Sequence, residues 1–155
     1  MMSTFLRKIG IIILLLIPNI MFAQENKYAE EQVTYIKKFT DDLNDTTVAT
    51  DVILSQYIVI SNELTDELFD YLKASLDEIR LNIQMKDKSQ IQYFNYFDLQ
   101  KKETRDIDLE GKNPNNIYFL KVKDRLIVAL YLDNEKIASF TLVSKGNNLA
   151  HFVTY

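Results

Sequence analysis

The chain of 155 residues contains no cysteine. Disulfides and a lipid-anchored leader are therefore excluded, and stability has to come from the core alone. Glycine occurs three times, and only Gly111 and Gly146 lie beyond the N-terminal apolar stretch. A glycine-rich phosphate loop has no place in such a chain. The single histidine, His151, cannot build a multi-histidine metal site, and no cofactor is called for. Basic runs stop at two residues, as at Lys101-Lys102, and the net charge is −4. Nucleic-acid binding needs clustered Lys and Arg, so that function class is excluded, as is docking on anionic lipid.

What is present starts at the N-terminus. Residues 1–23 read as a secretory signal peptide, with Arg7 and Lys8 as the charged start, an apolar run from Ile9 to Ile17, a break at Pro18-Asn19 and the small residue Ala23 before the cut. The apolar run is short of the roughly 20 residues a spanning helix needs. An exported, periplasmic or secreted protein with no membrane segment after cleavage is expected. Residues 24–155 then form one domain, long enough to bury a core.

Helical spacing marks Glu25 to Leu43, where Tyr28, Ala29, Val33, Ile36, Phe39 and Leu43 share a stripe. The polar segment Asn44–Thr47 ends it. Asp51–Ile60 fits either a helix or a β-branched strand, and a short helix with Thr50 as its cap is the preferred reading. A long helix follows from about Asn62 to Lys86. Its apolar stripe is Leu64, Leu68, Tyr71, Leu72, Leu76, Ile79 and Ile83, and Thr65, Asp66 and Glu67 suit its start. The period then changes. Ile91–Leu99 is aromatic and strand-like, and Ile117–Val122, Arg125–Leu132, Lys136–Val143 and Asn148–Thr154 read as four strands. Their short links force antiparallel neighbours. The fold class is α+β, with N-terminal helices packed on a C-terminal antiparallel meander that can curve.

The strand from Arg125 to Leu132 carries apolar side chains on both faces, where a half-exposed antiparallel strand should alternate apolar with polar. Each face needs cover. A pocket under a curled sheet, a second copy of the chain in a homodimer, or the aromatic strand Ile91–Leu99 folded over it would each supply that cover. So would burial of the strand at the centre of an ordinary core.

Helices first and a curved meander last resembles, in element order, the NTF2-like and cystatin-like cone folds. That resemblance implies a cavity between helix and concave sheet for small molecules, and a convex face for dimers. No catalytic residue comes with it.

The candidate site residues follow from side-chain chemistry. Tyr93, Phe97, Tyr118 and Tyr131 are the expected walls for a small apolar or aromatic ligand or a peptide, since their rings pack while phenol tips hydrogen-bond. His151 with a nearby acid is the only basis for a hydrolase or isomerase. Asp106, Asp108, Glu110 and Gly111 begin like a calcium loop, but the twelfth position is Ile117 where a bidentate acid is needed, so a solvated loop is expected. Asp45-Thr46-Thr47 and Asn44-Asp45-Thr46 offer glycosylation acceptors, Thr46 foremost. The reading is a non-enzymatic exported binding domain. Its rivals are an interaction module that dimerises or pairs through its sheet, and an enzyme built on His151.

Overall fold

The computed structural model describes residues 27–155; the expected signal peptide lies outside them. The described residues divide into two units at Ile36, residues 27–36 and residues 37–155. Helix α1 covers residues 27–44, with Ile36, Phe39 and Leu43 fully buried. It ends at an Asx turn, where the Asp45 carboxylate accepts bonds from the Thr47 backbone N–H at 2.8 Å and its hydroxyl at 2.7 Å. The ambiguous segment resolves as both alternatives in turn. Thr50–Tyr57 is helix α2, and Ile58 then bridges in parallel to Ile137, with the Val59 N–H donating to the Ile137 carbonyl at 2.9 Å. The cap residue is Ala49, not Thr50. The Thr50 hydroxyl is instead spent on Asp77 of the next helix, which ties α2 to α3. Helix α3, Asp66–Gln84, starts at Thr65, whose hydroxyl accepts from the Leu68 N–H as an N-cap should. Leu72, Leu76, Ile79 and Ile83 form its buried stripe.

The strands form two sheets. The larger has the order β1-β3-β4-β5, all antiparallel, from β1 (Ile91–Asn95), β3 (Ile117–Val122), β4 (Arg125–Asp133) and β5 (Lys136–Ser139). The smaller has the order β2-β7-β6, from β2 (Ile107–Asp108), β6 (Leu142–Gly146) and β7 (Leu149–Phe152). Helix α4, Lys101–Thr104, sits between β1 and β2. Two-residue turns join β4 to β5 and β6 to β7. Asn134 and Glu135 in one, and Asn147 and Asn148 in the other, all take positive φ, the geometry that matches strand twist in tight hairpins.

The long helix begins at Asp66 rather than near Asn62, and two expected strands need correction. The aromatic strand is shorter than Ile91–Leu99. Asn95 stops it by accepting the Phe97 N–H on its side chain while Asp98 accepts the Asn95 N–H at 2.8 Å, which turns Tyr96–Asp98 into a 3-10 turn. The expected strand Lys136–Val143 is two strands. It breaks where the Ser139 hydroxyl and the Thr141 backbone bond each other in both directions. The chain leaves the larger sheet there and enters the smaller one.

That break answers the question posed by β4. Ile117 and Phe119 of β3, Ala129 of β4 and Phe152 of β7 form one buried cluster, joined by Phe94, Tyr96, Leu99, Ile107, Leu109, Tyr131 and Leu142. The small sheet and the segment leading into it therefore cover one face of β4. On the other face Val128, Leu130 and Leu132 are buried, with α3 lying along β4. The cover comes from the chain itself. Removing the Phe152 ring, which is 1% exposed, should cost about 3–5 kcal/mol. Urea unfolding of Phe152→Ala checks this, and a loss under about 1 kcal/mol would mean that the small sheet is not fastened there.

Candidate functional site

The four expected wall residues do not share a cavity. Tyr118 is buried at 1% exposure on the helix-facing side of β3, opposite Leu130. Tyr93 is half-buried on the same side, beneath the Lys37 ammonium at 5.7 Å from its ring. Desolvation raises its phenol pKa. Tyr131 lies on the opposite face against Phe152, ring centres 6.4 Å apart, with Lys112 over it at 5.9 Å. Phe97 is 64% exposed at the end of β1. The space between α3 and the sheet is filled by Leu72, Leu76, Leu120 and Leu130, each fully buried.

His151 does have an acid beside it. Its Nδ1 is 3.0 Å from Glu110 Oε2. Glu110 is shared with Lys145 at 2.9 Å and Lys112 at 3.4 Å, and Lys145 also reaches Asp108 at 2.6 Å. Of the residues that read as a calcium-loop opening, Asp108 and Glu110 are thus paired with lysine, and Asp106 with Arg105. This network clasps β2 to β7 and β6. No group of three or more metal-ligating side chains is placed to hold an ion among the described residues. Neither His151 nor Glu110 lines a groove described below. Thr46 sits in the exposed turn between α1 and α2, open to solvent.

The site that sequence reasoning missed is a trough between α3 and the edge of β4. Strand β5 pairs with β4 only from Tyr131 to Asp133, because the chain turns away after Ser139. The outer edge of β4 from Leu126 to Leu130 has no strand beside it among the described residues. Backbone N–H and C=O groups on such an edge are a template for another strand. At Ile127 the strand bulges, since Leu120 pairs with Val128 and Lys121 with Leu126. A bulge bends and twists the strand, and here Ile127 lines the trough.

Tyr71, Ser75, Glu78 and Asn82 of α3 form the opposite wall. Their spacing of three and four places them on one helical stripe. The upper part, about 400 Å³, is also lined by Phe140–Leu142. The lower part, about 730 Å³, continues to Lys86 and the β3–β4 hairpin. The two parts share Asn82, Leu126 and Ile127, so they form one trough. Five residues of β4 and the run from Tyr71 to Asn82 both span about 16 Å, so wall and edge match in length. Tyr71, expected in the core stripe, is 48% exposed, and Leu126 is 47% exposed.

A second cleft opens between the two sheets. Its volume is about 560 Å³ and its lining includes Leu99, Ile107, Phe119 and Leu142. On its wall Lys121, 8% exposed, bonds Glu103 at 2.5 Å and lies 5.8 Å from the Phe94 ring centre. The lysine bond lowers the Glu103 pKa.

No family model, curated protein or solved structure matches this chain. No helix among the described residues is long and apolar enough to cross a membrane.

The Glu110 network sets a pH dependence. Bonds from Lys145 and then His151 pull the Glu110 pKa from 4.5 down to about 2. A carboxylate with a depressed folded pKa adds stability above its unfolded value and loses it as pH falls through the folded one. The stability gap between the wild type and Glu110→Gln should be constant above pH 4.5 and shrink toward pH 2. Urea titrations across that window check it, and a gap that grows on acidification would reverse the sign.

Proposed function

We propose that this protein is an exported, non-enzymatic interaction module that receives an extended polypeptide along the free edge of β4. The observation that carries the reading is the unpaired stretch Leu126–Leu130 set in a trough. Addition of a strand to a sheet edge draws affinity from main-chain hydrogen bonds and specificity from alternate side-chain pockets. β1 also leaves an edge unpaired among the described residues, as any open sheet does. What distinguishes β4 is the parallel wall of α3, which would bury the incoming side chains. Half-exposed Tyr71 and Leu126 are apolar surfaces that such a chain would cover. Export rests on the leader-like N-terminus.

The inter-sheet cleft supports a second reading, a small apolar ligand. Its volume of about 560 Å³ falls within the range of small-molecule sites. The Lys121–Glu103 pair on its wall would be the polar contact for that ligand.

Peptide selection from a random displayed library against the full chain separates the two. The trough reading expects enriched sequences of alternating apolar residues. Their binding should fall about tenfold or more, as hot-spot truncations do, in Ser75→Arg, which fills the trough, with the melting temperature retained. Selected peptides indifferent to Ser75→Arg would overturn the reading.

A further inference from the structure

We infer that the chain received by β4 carries acidic side chains where it leaves the trough. The inference rests on the edge-pairing reading and adds the chemistry of the partner. The two ends of the trough differ. At one end the lining is Phe140–Leu142, which carries no charged side chain. At the other end the trough opens between Lys86 and the β3–β4 hairpin, where Lys123 and Arg125 stand.

These three cations are placed against one carboxylate, Asp124, in a protein whose net charge is −4. Several other lysines have an acid beside them. Lys88 pairs with Asp41 at 2.5 Å, Lys145 with Asp108 at 2.6 Å and Lys121 with Glu103 at 2.5 Å. Lys86, Lys123 and Arg125 form no ion pair among the described residues. Lys123 takes a positive φ of 56° in the two-residue turn. That conformation is uncommon for a residue with a long side chain, and it fixes the turn that presents Lys123 beside Arg125. The amide side chains of Asn82 and Gln90 stand in the same mouth and can donate to a carboxylate.

Lys123 and Arg125 stand just beyond Leu126, at the end of the open stretch. The acids are therefore side chains flanking the paired segment. The bound segment consists of about five extended residues matched to Leu126–Leu130, apolar at alternate positions, followed by Glu or Asp.

The test uses four synthetic nine-residue peptides and the full chain. The first alternates valine and threonine and ends in two glutamates with an amidated C-terminus. The second replaces the glutamates with glutamines. The third keeps the glutamines and has a free C-terminal carboxylate. The fourth places the glutamates at the N-terminal end. Binding is measured by fluorescence anisotropy at two salt concentrations, with the wild type, Ser75→Arg and Lys86→Gln/Lys123→Gln/Arg125→Gln.

One of the two glutamate peptides, whichever direction the strand runs, should bind the wild type about tenfold more tightly than the glutamine peptide. The advantage should weaken with salt and vanish in the triple variant. Equal binding of glutamate and glutamine peptides, with Ser75→Arg still abolishing both, overturns the acidic partner and leaves the edge reading intact. Gain from the free carboxylate alone overturns the side-chain assignment. Binding of any peptide unaffected by Ser75→Arg overturns the edge reading itself. A wild-type dimer by sedimentation that Ser75→Arg dissociates names a second copy as the occupant and overturns both the peptide and its acids.

Discussion

The whole architecture depends on where the chain goes after Ser139. Strand β4 is apolar on both faces, so it needs cover above and below, and it also has an edge. One continuous C-terminal strand paired along its length would satisfy the edge and leave the second face bare. The chain breaks that strand at Phe140-Thr141 and sends the remainder across the face, where Phe152 and Leu142 close over Ala129, Phe119 and Ile117. Covering the face removes the partner from the edge. The open stretch Leu126–Leu130 follows directly from burying β4.

The crossover is fixed by short-range bonds. Ser139 and Thr141 bond each other, and the Thr141 carbonyl accepts the Val153 N–H at 3.1 Å. The Thr141 hydroxyl meets the Tyr155 phenol, whose pKa burial pushes up to about 12. Its ring rests on Phe140 with centres 5.0 Å apart. Nothing in this arrangement leaves slack for β5 to extend along β4. On the far side the small sheet is clasped by Glu110 with Lys145 and His151. The sole histidine thus sits in a structural network.

The helices and the hairpins were readable in the sequence because periodicity and turn residues are local. The later part of the α3 stripe, Leu72, Leu76, Ile79 and Ile83, and the strand Ile117–Val122 stand where the pattern places them, while Leu64, expected in that stripe, precedes the helix and is exposed. The two-sided apolarity of β4 was also legible, and it correctly announced cover on both faces. The identity of the cover was not. Lys136–Val143 alternates smoothly enough to read as one strand, and only the bonds between Ser139 and Thr141 divide it. The trough could not be read either. Its walls come from two elements more than 40 positions apart, and Tyr71 belongs to the apolar stripe by spacing although it lies on the stripe's border. Phe97 shows the converse case, where one asparagine side chain ends a strand that aromatic composition would prolong.

The central claim is that β4 presents an unsatisfied edge. Amide hydrogen exchange of the free protein, resolved residue by residue by NMR, tests it most directly. Within Leu126–Leu130 the amides bonded to β3 should exchange slowly, and the alternate amides facing the trough should exchange orders of magnitude faster. Uniform protection across the stretch would mean that the edge is already paired, and would contradict the account.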